Sequence, residues 1–145
     1  MMQKIIETER LSLNFINNND DEFIISLVNS KGWIEFIGDR RVHSKEDARA
    51  YISKILQTDD FYYWIVRTKE DDIPIGLVSF IKRSYLDYFD IGFAFLPQFN
   101  GLGYAFEAVK EKYIKVVVVP VPKLPLWHRG KGDKGWIFVD EIFLN

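Results

Sequence analysis

The chain has no cysteine among its 145 residues. That excludes disulfides, zinc sites built on thiolates and thiolate catalysis, and it suits a reducing compartment. Histidine is nearly as scarce: His43 and His128 stand alone, neither with a companion at metal-ligand spacing, so both read as surface or structural residues and no metal is expected. No apolar run approaches the ~20 residues of a membrane span, and the first ten residues reach charge too soon for a signal-peptide core. The expectation is a cytoplasmic chain off the membrane. Charge of one sign is also lacking. With 19 basic and 21 acidic residues the formal net charge is −2, which argues against nucleic acid as a ligand and leaves a surface that would not repel a cationic amine.

What is present is apolar bulk. A hydrophobic content of 48% and an aromatic content of 16% argue for one globular domain over residues 1–145. Ile5 to Ile16 alternates in part, with Leu11, Leu13 and Phe15 on one side, and reads as a strand. Asn17 to Asp20 offers cap chemistry for a helix through Phe23, Ile24, Leu27 and Val28, which Lys31-Gly32 would end. Trp33 to Ile37 fits either a short helix or a loop. Ser44-Lys-Glu-Asp47 resembles a capping box opening a helix to about Gln57, with Ala48, Tyr51, Ile52 and Ile55 as its apolar stripe. Strands follow at Phe61 to Thr68, Ile75 to Lys82 and Tyr88 to Leu96, joined by polar turns. Three strands after two helices indicate an α+β fold with a mixed, mostly antiparallel sheet flanked by helices.

The stretch around which the chain is organised runs from Asp90 to Val109. Its first half, Asp90-Ile-Gly-Phe-Ala-Phe-Leu-Pro97, reads as a buried strand; Gln98-Phe-Asn-Gly101-Leu-Gly103-Tyr-Ala105 then leads into a helical pattern. A glycine turn feeding a helix N-terminus leaves backbone N–H groups without intrahelical partners, which suits an anion. Gly101 and Gly103 let a ligand approach the backbone and permit positive φ. A dinucleotide fingerprint would need glycine at 106, where Phe106 stands, and no Gly-Lys-Ser/Thr follows for a P-loop.

Gln98 to Ala105 resembles the acetyl-CoA pyrophosphate loop of the GNAT N-acetyltransferase superfamily, of the form Gln/Arg-x-x-Gly-x-Gly/Ala. Asp90 to Pro97 is similar to that family's fourth strand, and Ile73-Pro-Ile-Gly76-Leu-Val-Ser-Phe80 to its third. Thr8-Glu9-Arg10-Leu11-Ser12-Leu13 resembles the opening strand of the branch that acetylates ribosomal-protein N-termini. The likeness covers about 5–111.

This resemblance implies a GNAT-like acyl-CoA N-acyltransferase fold and acetyl-CoA as cosubstrate, with Gln98, Phe99, Asn100, Gly101, Leu102, Gly103, Tyr104 and Ala105 around the pyrophosphate. Phe93, Ala94 and Phe95 would pair with the pantetheine like an added strand. Asp90 is the candidate base for transfer to a primary amine, on a protein N-terminus or a small molecule. Trp33, Glu35 and Phe36 are candidates for the acceptor pocket, and Tyr104 for packing or cofactor contact.

Residues 112–145 diverge from the family pattern. A strand around Val116 to Val119 and another at Trp136 to Leu144 leave room for the family's fifth strand and one closing strand, but between them stand prolines at 120, 122 and 125 and a basic glycine-rich loop at Trp127 to Gly135, with no amphipathic fourth helix. An apolar edge at Val116 to Val119 would favour a homodimer. Arg129-Gly-Lys131 reads as a solvated loop, with CoA phosphate contact as the alternative. The rival functional reading is a non-catalytic acyl-CoA-binding or assembly module retaining the fold.

Overall fold

The computed structural model describes residues 5–87 and 89–110. The expectations for the C-terminal stretch, including the edge at Val116 to Val119, His128 and the Arg129–Lys131 patch, lie outside the described residues.

Among the described residues five strands form one sheet in sequence order: β1 (Ile5–Glu7), β2 (Leu11–Phe15), β3 (Phe61–Thr68), β4 (Pro74–Lys82) and β5 (Phe89–Phe95). All four pairings are antiparallel. Three helices, α1 (Asp21–Val28), α2 (Lys31–Phe36) and α3 (Lys45–Gln57), separate β2 from β3, and α4 (Tyr104–Lys110) follows the sheet. The α+β reading therefore holds, with an antiparallel sheet among the described residues.

The alternation at 5–16 hides a hairpin. Thr8 breaks the strand because its Oγ1 accepts from the Leu11 N–H at 3.0 Å while its own N–H donates to the Leu11 carbonyl at 2.9 Å. A side chain that bonds nearby backbone offers the chain a turn in place of a ladder. Lys31-Gly32 is a second correction. The first helix stops at Val28, and these two residues open α2. The serine cap is as expected: Ser44 Oγ accepts from the Asp47 N–H, and Asp47 accepts from Ser44 in return.

The pleat sorts side chains to two faces. Ile65 and Leu77 turn toward α1, α2 and α3, where Phe23, Ile24, Leu27, Val28, Ala48, Ile52 and Ile55 complete a core. Each fully buried Leu or Ile contributes about 1.5–3 kcal/mol of transfer free energy. The opposite face holds Leu11, Leu13, Trp64, Val66 and Val78, and α4 sets Ala108 against it. An aromatic run crosses that face: Phe15 to Trp64 at 4.9 Å, Trp64 to Phe80 at 5.6 Å and Phe80 to Phe89 at 6.2 Å between centroids. Strand β5, expected to be buried, is half-buried along most of its length. It is the edge strand among the described residues, so one side of its backbone has no ladder partner there.

Candidate acetyl-CoA loop and acceptor face

Strand β5 ends by pairing onward, the Leu96 N–H donating to Ile75 at 2.9 Å, and Pro97 then opens a 3-10 turn over Pro97–Phe99. Proline serves there because its fixed φ suits the first position and its missing N–H would be unpaired anyway. Gly101 and Gly103 follow with φ of +73° and +78°. Left-handed backbone of this kind favours glycine, so the two glycines are demanded by the turn itself. The Gly103 carbonyl accepts from Glu107 N–H at 3.0 Å and starts α4. The N–H groups of Tyr104, Ala105 and Phe106 lie in the first turn, where a helix supplies no acceptor.

The loop is held from the hairpin turn. Arg10 Nε donates to Glu107 Oε2 at 2.6 Å, Arg10 Nη1 to the Leu102 carbonyl at 3.1 Å, and the guanidinium lies 4.5 Å from the Tyr104 ring centre. Glu107 Oε1 accepts from the Thr8 hydroxyl at 2.5 Å and from the Arg10 N–H at 2.7 Å. Burial works to raise the Glu107 carboxyl pKa, yet the hydrogen bonds from Thr8 and Arg10 and the Arg10 charge outweigh it, leaving that pKa below the usual range. These contacts also explain why Thr8-Glu9-Arg10-Leu11 matters. By sequence it is only a strand motif, and nothing local in it identifies Glu107 as its partner.

Of the residues expected around the pyrophosphate, Gln98, Asn100, Gly101, Leu102 and Gly103 are exposed. Phe99 and Tyr104 are half-buried with ring centres 6.4 Å apart, and Ala105 is buried. Tyr104 thus packs against both Phe99 and Arg10. Phe93 and Phe95 turn to the aromatic face, whereas Ala94 turns to the helical one. The Phe95 ring covers Gly76, where a Cβ would come within 2.4 Å of it.

Asp90 lies opposite Ile81, and its Oδ2 accepts from Arg83 Nε at 2.8 Å. Register puts it on the helical face with Gly92, Ser79 and Tyr63. Burial pushes the Tyr51 phenol up to about 12 and raises that of Tyr63, against the pull of Arg40 on both. Both hydroxyls remain neutral donors at physiological pH. The structure divides the other trio: Trp33 is 6% exposed within the core, its Nε1 without a hydrogen-bond acceptor among the described residues, while Glu35 is exposed and Phe36 is 81% exposed. Among the described residues no three Asp, Glu or His side chains gather to hold a metal ion, and no helix is long and apolar enough to cross a membrane.

Residues 10–117 match the acetyltransferase (GNAT) domain. The chain belongs to that family. A Bacillus subtilis (strain 168) protein named as the uncharacterized N-acetyltransferase YnaD is 27% identical over 105 residues, which are 72% of this chain and 61% of that one. Three solved structures share the fold. A GNAT-family acetyltransferase of Bacillus anthracis has a TM-score of 0.59 at 24% identity, over 72% of this chain and 60% of its own. The ribosomal-protein-S5-alanine acetyltransferase of Vibrio fischeri gives 0.56 at 16% over 74% and 63%. The spermidine/spermine N-acetyltransferase SpeG of Vibrio cholerae gives 0.53 at 22% over 70% and 57%. The matched part of this chain therefore spans about three fifths of each of these proteins.

Proposed function

We propose that the chain binds acetyl-CoA and transfers its acetyl group directly to a primary amine. The observation that carries this reading is the turn at Gly101 and Gly103, its two positive-φ residues feeding α4 while Arg10 fixes its carbonyl at Leu102. The amides of the turn and of the first turn of α4 would receive the pyrophosphate, helped by the positive end of the helix. The side of β5 that has no ladder partner among the described residues, at Phe93, Ala94 and Phe95, would take the pantetheine amides as an added strand.

In the reaction the amine nitrogen, neutral when it attacks, bonds to the thioester carbon. The C–S bond then breaks and the CoA sulfur leaves with the electron pair, taking up a proton. Asp90, with Oδ2 held by Arg83, would accept the proton lost by the amine through its other oxygen or a bridging water. The acceptor would be a protein N-terminus or a small amine; family members acting on a ribosomal protein and on spermidine share the fold and support both. We take the site of action to be the cytoplasm, in keeping with the absence of cysteine.

Titration with acetyl-CoA, followed by thioester cleavage against amines and N-terminal peptides, tests the reading. Binding with turnover supports it. Binding without turnover against any acceptor favours a non-catalytic acyl-CoA module. No binding by a folded chain contradicts both.

A further inference from the structure

Tyr51 on α3 and Tyr63 on β3 pack, together with Ala94 and Leu96, against the core cluster that holds Trp33. The two phenols thus share the helical face with β5, along which the pantetheine is proposed to run. Both side chains are half-buried, and neither hydroxyl is hydrogen-bonded to a described residue. They stay protonated, since burial lifts both pKa values against the pull of Arg40. Each is therefore a neutral donor with its hydrogen uncommitted inside the described part of the protein.

The charge beside them is positive. Arg40, in the loop before α3, is exposed and forms no ion pair with a described residue, and its charge acts on both phenols. The other charges felt at Tyr63 are Arg83 and Asp90, which offset one another as an ion pair at 2.8 Å. Acceptors are scarce in the same cluster: Trp33 Nε1, closed off within it, has none among the described residues. Donors without acceptors call for oxygen, and an uncompensated cation repels a polycation. Spermidine, with ammonium groups beyond its reacting nitrogen, would set donors against donors and charge against like charge. An α-amine brings a carbonyl or carboxylate oxygen beside the nitrogen, which is the group that fits.

We propose that the acceptor is an α-amine whose neighbouring carbonyl or carboxylate oxygen is bound by Tyr51, Tyr63 and Arg40, so that the substrate class is a peptide N-terminus or an amino acid and polyamines are refused. This rests on the acetyl-transfer reading and narrows it. The rival is that the phenols and Arg40 are merely hydrated, with a cationic acceptor drawn instead by a carboxylate such as Glu35.

Three CoA conjugates, bridged through an acetyl linker to the α-amine of an alanyl dipeptide, to that of free alanine and to spermidine, separate these possibilities by calorimetry against CoA alone. The wild-type chain is expected to bind the dipeptide or alanine conjugate about tenfold or more tightly than CoA, the scale of one or two hydrogen bonds to a charged donor, and to gain nothing from the spermidine arm. A gain with the dipeptide alone assigns the oxygen to a peptide carbonyl, and a gain as large with alanine assigns it to a carboxylate. Arg40→Gln and the double variant Tyr51→Phe, Tyr63→Phe should each abolish most of the gain, with CoA affinity and melting temperature unchanged, because none of the removed groups has an internal hydrogen-bond partner among the described residues. Retention of the gain in both variants overturns the proposal, as does a spermidine arm that binds as well as the other two. Wild-type binding of CoA with no gain from any arm overturns it while leaving the CoA site standing. Failure of the folded wild type to bind CoA overturns the acetyl-transfer reading itself, and this inference with it.

Discussion

Arg10 Nε and Glu107 Oε2 meet at 2.6 Å across 97 residues of sequence, tying the first hairpin to the helix that follows the glycine loop. Glu107 gathers the Thr8 hydroxyl and the Arg10 amide on its other oxygen, and Arg10 passes the anchor on to the Leu102 carbonyl. A surface ion pair would be worth little. This one has a mostly buried carboxylate with several donors, so its loss leaves those donors unpaired.

Glu107→Ala should therefore destabilise the chain by about 2 kcal/mol, the scale of a charged hydrogen-bonded group removed from its partners. Arg10→Ala should cost less, because its side chain is half exposed. Both should weaken acetyl-CoA binding by loosening the loop. Urea unfolding and calorimetry on the two variants measure these effects; full stability and affinity in Glu107→Ala would show the network to be idle.

The acid side of the stability profile follows from the same group. The folded-state pKa of Glu107 lies below its unfolded value, so the carboxylate stabilises the fold above the unfolded pKa, near 4.5, and that contribution disappears as pH falls through the lower folded value. Glu107→Gln should flatten the acid limb of stability against pH. An unchanged limb would assign acid sensitivity to other carboxylates such as Asp47, which is also held low by backbone N–H donors at His43 and Ser44.

On the alkaline side the sign reverses for Tyr51. Its folded pKa of about 12 exceeds the ordinary phenol value of 10.0, so the stabilisation is complete below pH 10 and is lost as pH rises toward 12. Absorbance at the phenolate band should show a phenol that resists ionisation until the chain unfolds. Removal of that late phase by Tyr51→Phe would assign it.

Gly76→Ala probes the strand next to the proposed pantetheine edge. Its Cβ would approach the Phe95 ring to 2.4 Å, so the ring must move, at about 1–3 kcal/mol for an overpacked site. Thermal unfolding should register the loss, and a wild-type melting point would mean that Phe95 turns aside freely.

Much of the fold was legible because it was local. The Ser44 cap, the stripe through Ala48, Ile52 and Ile55, and the strand at 61–68 each declare themselves within a few residues. The glycine loop was legible too, since positive φ leaves its mark as glycine. The hairpin at Thr8 is hidden because a side chain bonding the backbone three residues on leaves strand alternation intact on either side. Lys31-Gly32 has the look of a stop because glycine near a helix end is a frequent terminator, yet here it lies in the first turn of the next helix. Glu107 is invisible in the sequence for another reason: its importance lies in partners, Thr8 and Arg10, that only the tertiary arrangement brings to it.

The most direct test of the central claim is calorimetric titration of acetyl-CoA into the wild-type chain and into Gly101→Val and Gly103→Val. Valine at φ near +75° is strained by at least about 1–2 kcal/mol and sets a branched side chain over the backbone. The account expects saturable binding by the wild type and at least tenfold weaker binding by both variants while they remain folded. Equal affinity in all three, or no binding by a folded wild-type chain, would contradict it.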